Sequence, residues 1–408
     1  MSKVEEQLLF DRNENKRIAL FLLFLNVATS ASVSIYIPCL KYMAVDLHTT
    51  SALMQMTIVA HLIGEFIGRM ICGPLIDTHG NRKIALPALA LSVLGHLGCM
   101  LSSNLLIFVA MRFMQAMGAS VIYIVSLNII NQRFRDDEKA SVVGVLELYQ
   151  PIAWIVSPMV GALLTELGNW RWSFFVLMLS HMFGLMFFWL NNVNDLSLKP
   201  FSLKKLCSDY NKLLKKSSFT LYALIPGLFA GGYMIFATSC TMICAQFFGN
   251  SSAHVAVFQA VPLVAYVGAT FVYRWIVKEF GTKIAKRTGA TIYILFGVYI
   301  TYFIVQGEVW AVSPLLILMC LQCAGSAFLV PVSVFKALQS SEHSASVGAS
   351  TVVVFRNIIM SLCISMSAKF SGNITTIMAC VFITVATVLV LIMMRRILRI
   401  RHLKKHRK

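Results

Sequence analysis

The sequence predicts an all-α integral membrane protein with twelve transmembrane helices in two sets of six. Three observations predict it. Of 408 residues, 58% are hydrophobic and only 13% are charged, where a soluble domain carries about 25% charged residues. Mean hydropathy is +0.76. The apolar residues gather into runs near the length of about 20 residues that a spanning helix needs, rather than into the weaker alternating segments of an outer-membrane barrel. Finally, with the N-terminus placed inside, 29 of the 35 Lys and Arg fall into loops on the inner side. That asymmetry sets orientation and requires an even number of spans.

Taken in order, the runs are 18–42, 52–76, 84–102, 105–131, 141–165, 172–191, 219–247, 252–277, 289–306, 310–335, 346–369 and 374–397. Residues 1–17 form a polar cytoplasmic segment of mixed charge, unlike a cleavable signal peptide. Residues 18–191 hold the first six spans and 219–397 the second six. The Lys-rich stretch 192–218 links them on the inner side, and a basic tail, 398–408, ends the chain inside, where it can touch anionic lipid. The net charge of +18 is therefore a topology signal, not a nucleic-acid signal. Two six-span halves with a basic linker are the layout of a transporter built from repeats, although hydropathy by itself also admits a channel or a membrane enzyme.

Nine of the ten cysteines lie in apolar runs, where Cys behaves as a small hydrophobe. Cys320-x-x-Cys323 has no second His/Cys pair in a soluble loop, so no metal site is expected. No nucleophile triad or phosphate loop appears, so an enzyme is not expected, and no cofactor beyond a proton gradient as energy source.

The stretch between spans two and three is Gly73-x-Leu75-x-Asp77-x-x-Gly80-x-Arg82-Lys83. Physically, Gly73 permits close helix approach, Gly80 makes the turn, and Asp77 can cap a helix or pair beside Arg82 and Lys83. The stretch resembles the signature loop of the major facilitator superfamily, and Glu279-Phe280-Gly281-Thr282-Lys283 is a weaker match in the corresponding loop of the second half. Arg112-x-x-Gln115-x-x-Gly118 in span four is similar to the Arg-x-x-Gln-x-x-Gly pattern of the drug:proton antiporter branch. Ser157-Pro158-x-x-Gly161 in span five resembles the antiporter motif, and Trp170-Arg171-Trp172 the entry to span six. Tyr36-Ile37-Pro38 resembles the end of span one in bicyclomycin-resistance-type exporters. The resemblance implies two pseudo-symmetric six-helix bundles, alternating access around a central cavity, and a gating role for Gly73, Asp77, Gly80, Arg82 and Lys83. One position departs from it: where that exporter type commonly carries an acid, two residues before Tyr36, this chain has Ser34.

Charges inside spans are costly, about 2.5–3.5 kcal/mol each on insertion scales. Five are expected to face protein or a wet cavity: Glu65, Arg69, Arg112, Glu147 and Arg356. Glu65 and Arg69 lie one turn apart, as a self-neutralising ion pair or a coupling site in which protonation of Glu65 frees Arg69. Glu147 is either an interhelical hydrogen-bonding group or the proton carrier that replaces the missing acid. Arg112 is the strongest functional candidate, as cationic partner of an acid or of an anionic substrate; the bland alternative is an arginine bound to backbone carbonyls. Of the histidines in apolar runs, His61, His96 and His181, the first is the proton-coupling candidate because it stands one turn before Glu65. Tyr149, Gln150, Tyr233 and Gln259 complete the cavity candidates, each a polar handle in an apolar run, together with Ser34, Tyr36, Gln115, Arg69 and Arg356.

The expected function is proton-coupled export of small molecules by a secondary transporter of the multidrug type. A dedicated carrier of an anionic or zwitterionic metabolite, such as a siderophore or amino acid, is the alternative, and a non-transporting membrane receptor the remote one. The expected partners are a small-molecule substrate, protons and membrane lipid, with no nucleic acid. The expected setting is a monomer in a bacterial inner membrane with both termini cytoplasmic.

Overall fold

The computed structural model describes residues 3–134, 149–191, 211–248, 252–306, 312–340 and 345–369, with isolated positions beyond them. All regular structure among them is helical. The chain runs α1 (Lys3–Ser34), a 3-10 turn (Ile37–Cys39), α2 (Leu40–Asp46), α3 (Ser51–His79), α4 (Asn81–Leu101), α5 (Leu105–Ala119), α6 (Val121–Arg133), α7 (Tyr149–Leu167), α8 (Arg171–Leu190), α9 (Ser217–Phe248), α10 (Ser252–Phe280), α11 (Thr282–Gln306), α12 (Val312–Ser340) and α13 (Ala345–Lys369). Among the described residues, nine helices are long and apolar enough to cross a membrane, and Ile152–Leu167 is a shorter apolar helix in the fifth run. The twelfth run, 374–397, lies almost wholly outside the described residues. Large apolar side chains cover the outside, with Leu106 77%, Leu167 75% and Trp189 67% exposed, as a lipid-facing surface requires.

Two compact units emerge: residues 1–49 with 60–202, and residues 50–59 with 203–408. In the first, Leu22, Leu25, Cys72, Ile76, Leu89, Val125 and Phe188 form one buried cluster that joins α1, α3, α4, α6 and α8. Glycines then bring backbones together. A Cβ on Gly64 or Gly68 of α3 would stand 2.3 Å from the carbonyl oxygen of Phe113 or 2.2 Å from that of Met117 on α5. One on Gly161 of α7 would stand 1.6 Å from the carbonyl oxygen of Ile35. Without a hydrophobic drive between helices in lipid, such close approach is a main source of packing energy.

Three local details differ from expectation. The polar stretch after span two, read as the loop between spans two and three, is mostly helix. α3 runs on through His79, because Thr78 Oγ1 donates back to the carbonyl of Leu75 at 3.1 Å and the Gly80 amide to that of Ile76 at 2.9 Å. The turn is Gly80 alone, at φ 90°, a left-handed value that suits glycine. Gly281, between α10 and α11, does the same at φ 81°. Second, the fourth run is two helices that meet at Ser120. Third, the first run leaves α-helix at Ser34 and tightens through the 3-10 turn, where Pro38 supplies no amide donor.

Candidate functional site

The fourth run carries the site in the first unit. α5 starts at an Asn104 cap, whose Oδ1 accepts from the Leu106 amide at 2.7 Å. Two turns later Arg112 points inward and is fully buried, at 0% exposure. Its Nη1 donates to Gln115 Oε1 at 2.9 Å, one turn along the same helix. Its guanidinium lies 4.4 Å from the Tyr36 ring centroid and 5.7 Å from that of Phe174. Tyr36, Phe108, Phe174 and Trp170 stack edge to face or tilted around it, at 5.5–6.5 Å. Among the described residues, Arg112 Nε and Nη2 and Gln115 Nε2 make no hydrogen bond. The aromatic faces return about 2 kcal/mol for a desolvated cation. Burying an ion costs several kcal/mol, so they offset only part of the penalty.

Ser34 is engaged by a neutral partner. Its hydroxyl shares a hydrogen bond of 2.7 Å with Ser157 of α7, one turn before Gly161. Cys39 Sγ and Thr165 Oγ1, also 2.7 Å apart, continue this seam between the end of span one and α7. Pro158 sits inside α7 between these contacts.

On α3, Arg69 and Glu65 form an ion pair one turn apart, with side chains 5% and 12% exposed. Arg69 also lies 5.4 Å from the Tyr123 ring. Glu65 is thus engaged by Arg69, and no ion pair joins it to Arg112 among the described residues. His61 is buried on the same helix, within electrostatic range of Arg112 and Arg69. The other two histidines meet: the rings of His96 (α4) and His181 (α8) lie 4.7 Å apart. His96 Nδ1 donates to the carbonyl of Ser92 at 2.7 Å and His181 Nδ1 to that of Leu177 at 2.9 Å. A carbonyl only accepts, so both rings carry their proton on Nδ1. Nothing in the one-dimensional pattern signals this stack, because its members lie on different helices.

In the second unit the polar interior is organised along α9. Tyr233 donates to the carbonyl of Gln259 at 3.2 Å, and Gln259 Nε2 to that of Ala237 at 2.8 Å. Gln322, not among the expected residues, donates through Nε2 to the carbonyl of Phe229 at 3.3 Å, and Tyr293 donates to the carbonyl of Gln322 at 3.0 Å. Its signal was a lone amide in the apolar tenth run, of the same kind as Gln259. Arg356 is half-buried on α13.

Of the gating stretch, Gly73 and Asp77 lie in α3, Lys83 is exposed, and Arg82 clasps the end of α8. Its Nε and Nη2 donate to the carbonyls of Phe188 and Trp189 at 2.9 and 2.7 Å, a cation on the orphan carbonyls of a helix C-terminus. Gln150 is half-buried on α7. Glu147, the side chains of Asp77 and Tyr149, and the surroundings of Gly73 lie outside what is described. Among the described residues no group of three or more His, Cys, Asp or Glu is arranged to hold a metal.

Comparison with known proteins places these features in a family context. The model of the Major Facilitator Superfamily matches residues 22–364. Multidrug resistance protein D of Escherichia coli (strain K12) is 24% identical over 88% of this chain and 90% of its own. The bicyclomycin resistance protein homolog of Haemophilus influenzae is 22% identical over 71% and 74%. The crystal structure of a POT family transporter in complex with 5-aminolevulinic acid superposes with a TM-score of 0.70 at 12% identity, covering 94% of this chain and 96% of that one. At that identity the superposition speaks for the fold alone.

Proposed function

This chain belongs to the Major Facilitator Superfamily, and from that premise we propose that it exports small molecules, of the kind named for its drug-resistance relatives, in exchange for protons. A multi-pass membrane transporter with a small-molecule substrate is what the family establishes. The energy source, cargo and direction are our reading.

The observation that carries the reading is the buried Glu65–Arg69 pair in span two. A proton taken up by Glu65 removes the negative charge that faces Arg69 and leaves the arginine's positive charge uncancelled by it. That is a local charge change able to bias two conformations. Glu147 is the second proposed carrier and His61 the third. Arg112 is the fixed cation against which they titrate. Alternating access follows from rocking of the two six-helix halves, with the Gly80 and Gly281 turns as the inner-side hinges. The proposed setting is a bacterial inner membrane, with a monomer whose termini are both cytoplasmic.

The test is uptake of fluorescent drug substrates into inverted vesicles under an imposed pH gradient. Gradient-driven uptake that fails in Glu65→Gln or Glu147→Gln supports the exchange, and gradient-independent uptake in wild type and both variants removes it. A second reading, a dedicated carrier of an anionic or zwitterionic metabolite, is favoured by one specific observation: Ser34 stands hydrogen-bonded to Ser157 where related exporters resembling this chain carry an acid. Preference for hydrophobic cations, persisting in Arg356→Ala, would exclude it.

A further inference from the structure

We propose that the turn of α5 bearing Arg112 and Gln115 is a receptor for one small monoanion, a halide ion or a carboxylate group of comparable reach. The argument starts from which atoms are left over. Arg112 has only donors, so the Oε1 of Gln115 must face its Nη1 at 2.9 Å, and this fixes the amide the other way round. Cys99 Sγ, 3.8 Å away, directs its weak donor at the same Oε1. Gln115 Nε2 therefore points elsewhere, as a donor. Among the described residues, the buried atoms on this turn that lack a hydrogen bond are Arg112 Nε, Arg112 Nη2 and Gln115 Nε2. All three are donors, none is an acceptor, and one group carries a full positive charge. Both residues are 0% exposed.

Among the described residues no acceptor, the nearby buried His61 included, makes a hydrogen bond to these three donors. Tyr36 and Phe174 present ring faces to the guanidinium, which soften its charge without accepting its remaining N–H groups in line. Ser34 is committed to Ser157, and Glu65 to Arg69. A single cationic charge with three unsatisfied donor atoms on one helical turn selects a monoanion. A cation would be repelled, and a dianion would leave net negative charge in the same apolar enclosure. The receptor needs no assumption about the energy source proposed above. Where the anion is a carboxylate of the cargo, the receptor gives the second reading its recognition element; where it is a free ion, it serves as the counter-charge of Arg112.

The experiment uses the full chain in nanodiscs. Sodium bromide replaces sodium methanesulfonate at constant ionic strength, and the thermal unfolding midpoint is followed. Wild type is expected to rise saturably with bromide. The rise disappears in Arg112→Met. In Gln115→Leu, which keeps the charge, the bromide affinity falls about tenfold, equivalent to about 1.4 kcal/mol, and this variant carries the test should Arg112→Met not fold. Lys278→Gln, at an exposed position of α10, keeps the wild-type response. Sodium acetate distinguishes the sources: displacement of bromide assigns the site to a carboxylate, inertness of acetate assigns it to a free halide. A wild type indifferent to bromide overturns the receptor, as does an equal response in Arg112→Met or Gln115→Leu. A response that appears only in Glu147→Gln also overturns it, by making that glutamate the counter-charge. Bromide binding with no proton-driven transport would remove the proposed function and leave the receptor standing.

Discussion

Among the described residues, two arginines are buried in the first unit, and they are solved in opposite ways. Arg69 on α3 has its acid one turn away, in Glu65, on the same face of the same helix. Arg112 on α5 is more deeply buried, yet it faces two aromatic rings and a glutamine amide. The first arrangement is closed: the charges cancel locally. The second is open: a fixed positive charge with donors to spare. The difference teaches that a self-neutralised charge and one without a counter-ion among the described residues can share one bundle.

The largest expected effect is on the closed pair. Glu65→Gln leaves Arg69 charged and buried, and breaking a buried pair from one side costs about 3–5 kcal/mol. A marked drop in the thermal midpoint is expected, with recovery in the double variant Glu65→Gln/Arg69→Gln. A single variant as stable as wild type would mean that the pair contributes nothing. Arg112→Met should behave differently. No acid is left stranded among the described residues, so stability within about 1 kcal/mol of wild type is expected, or above it, since apolar replacement of buried charge is often neutral or stabilising. Transport should fall at least tenfold, about 1.4 kcal/mol of lost stabilisation. A midpoint as low as that of Glu65→Gln would erase the contrast and reveal a hidden acidic partner. Comparable in size is Tyr36→Leu, which removes the nearer ring face. A loss of about 1–2 kcal/mol is expected, with Tyr36→Phe retaining most of it because the ring remains; equal losses in both would assign the role to the hydroxyl.

How much of this the sequence discloses depends on the distance over which each feature is encoded. The spans are legible because lipid demands continuous apolar runs, and the orientation because charge is sorted between loops. The Glu65–Arg69 pair is legible for a similar reason: helix geometry alone brings positions four apart together. The Gly80 turn was readable, but not its brevity, since the side chains of 78 and 79 bond back onto the helix instead of opening it. Gly64-x-x-x-Gly68 is a packing signal carried in the sequence itself, and it sets α3 against α5. What the sequence withholds is tertiary. Ser34 finds Ser157 across 123 positions, Tyr36 covers Arg112 across two spans, and His96 meets His181 with no periodicity to announce it. The break of the fourth span at Ser120 is only faintly marked, since Gly118 stands two residues before it inside an otherwise continuous apolar run.

The most direct measurement is substrate uptake into inverted vesicles with and without an imposed inward-acidic pH gradient, comparing wild type, Glu65→Gln and Arg112→Met at matched protein levels. Gradient-stimulated uptake by wild type, loss of stimulation but residual exchange in Glu65→Gln, and loss of all uptake in Arg112→Met are expected. Equal, gradient-independent uptake by all three would contradict both the proton switch and the role of Arg112.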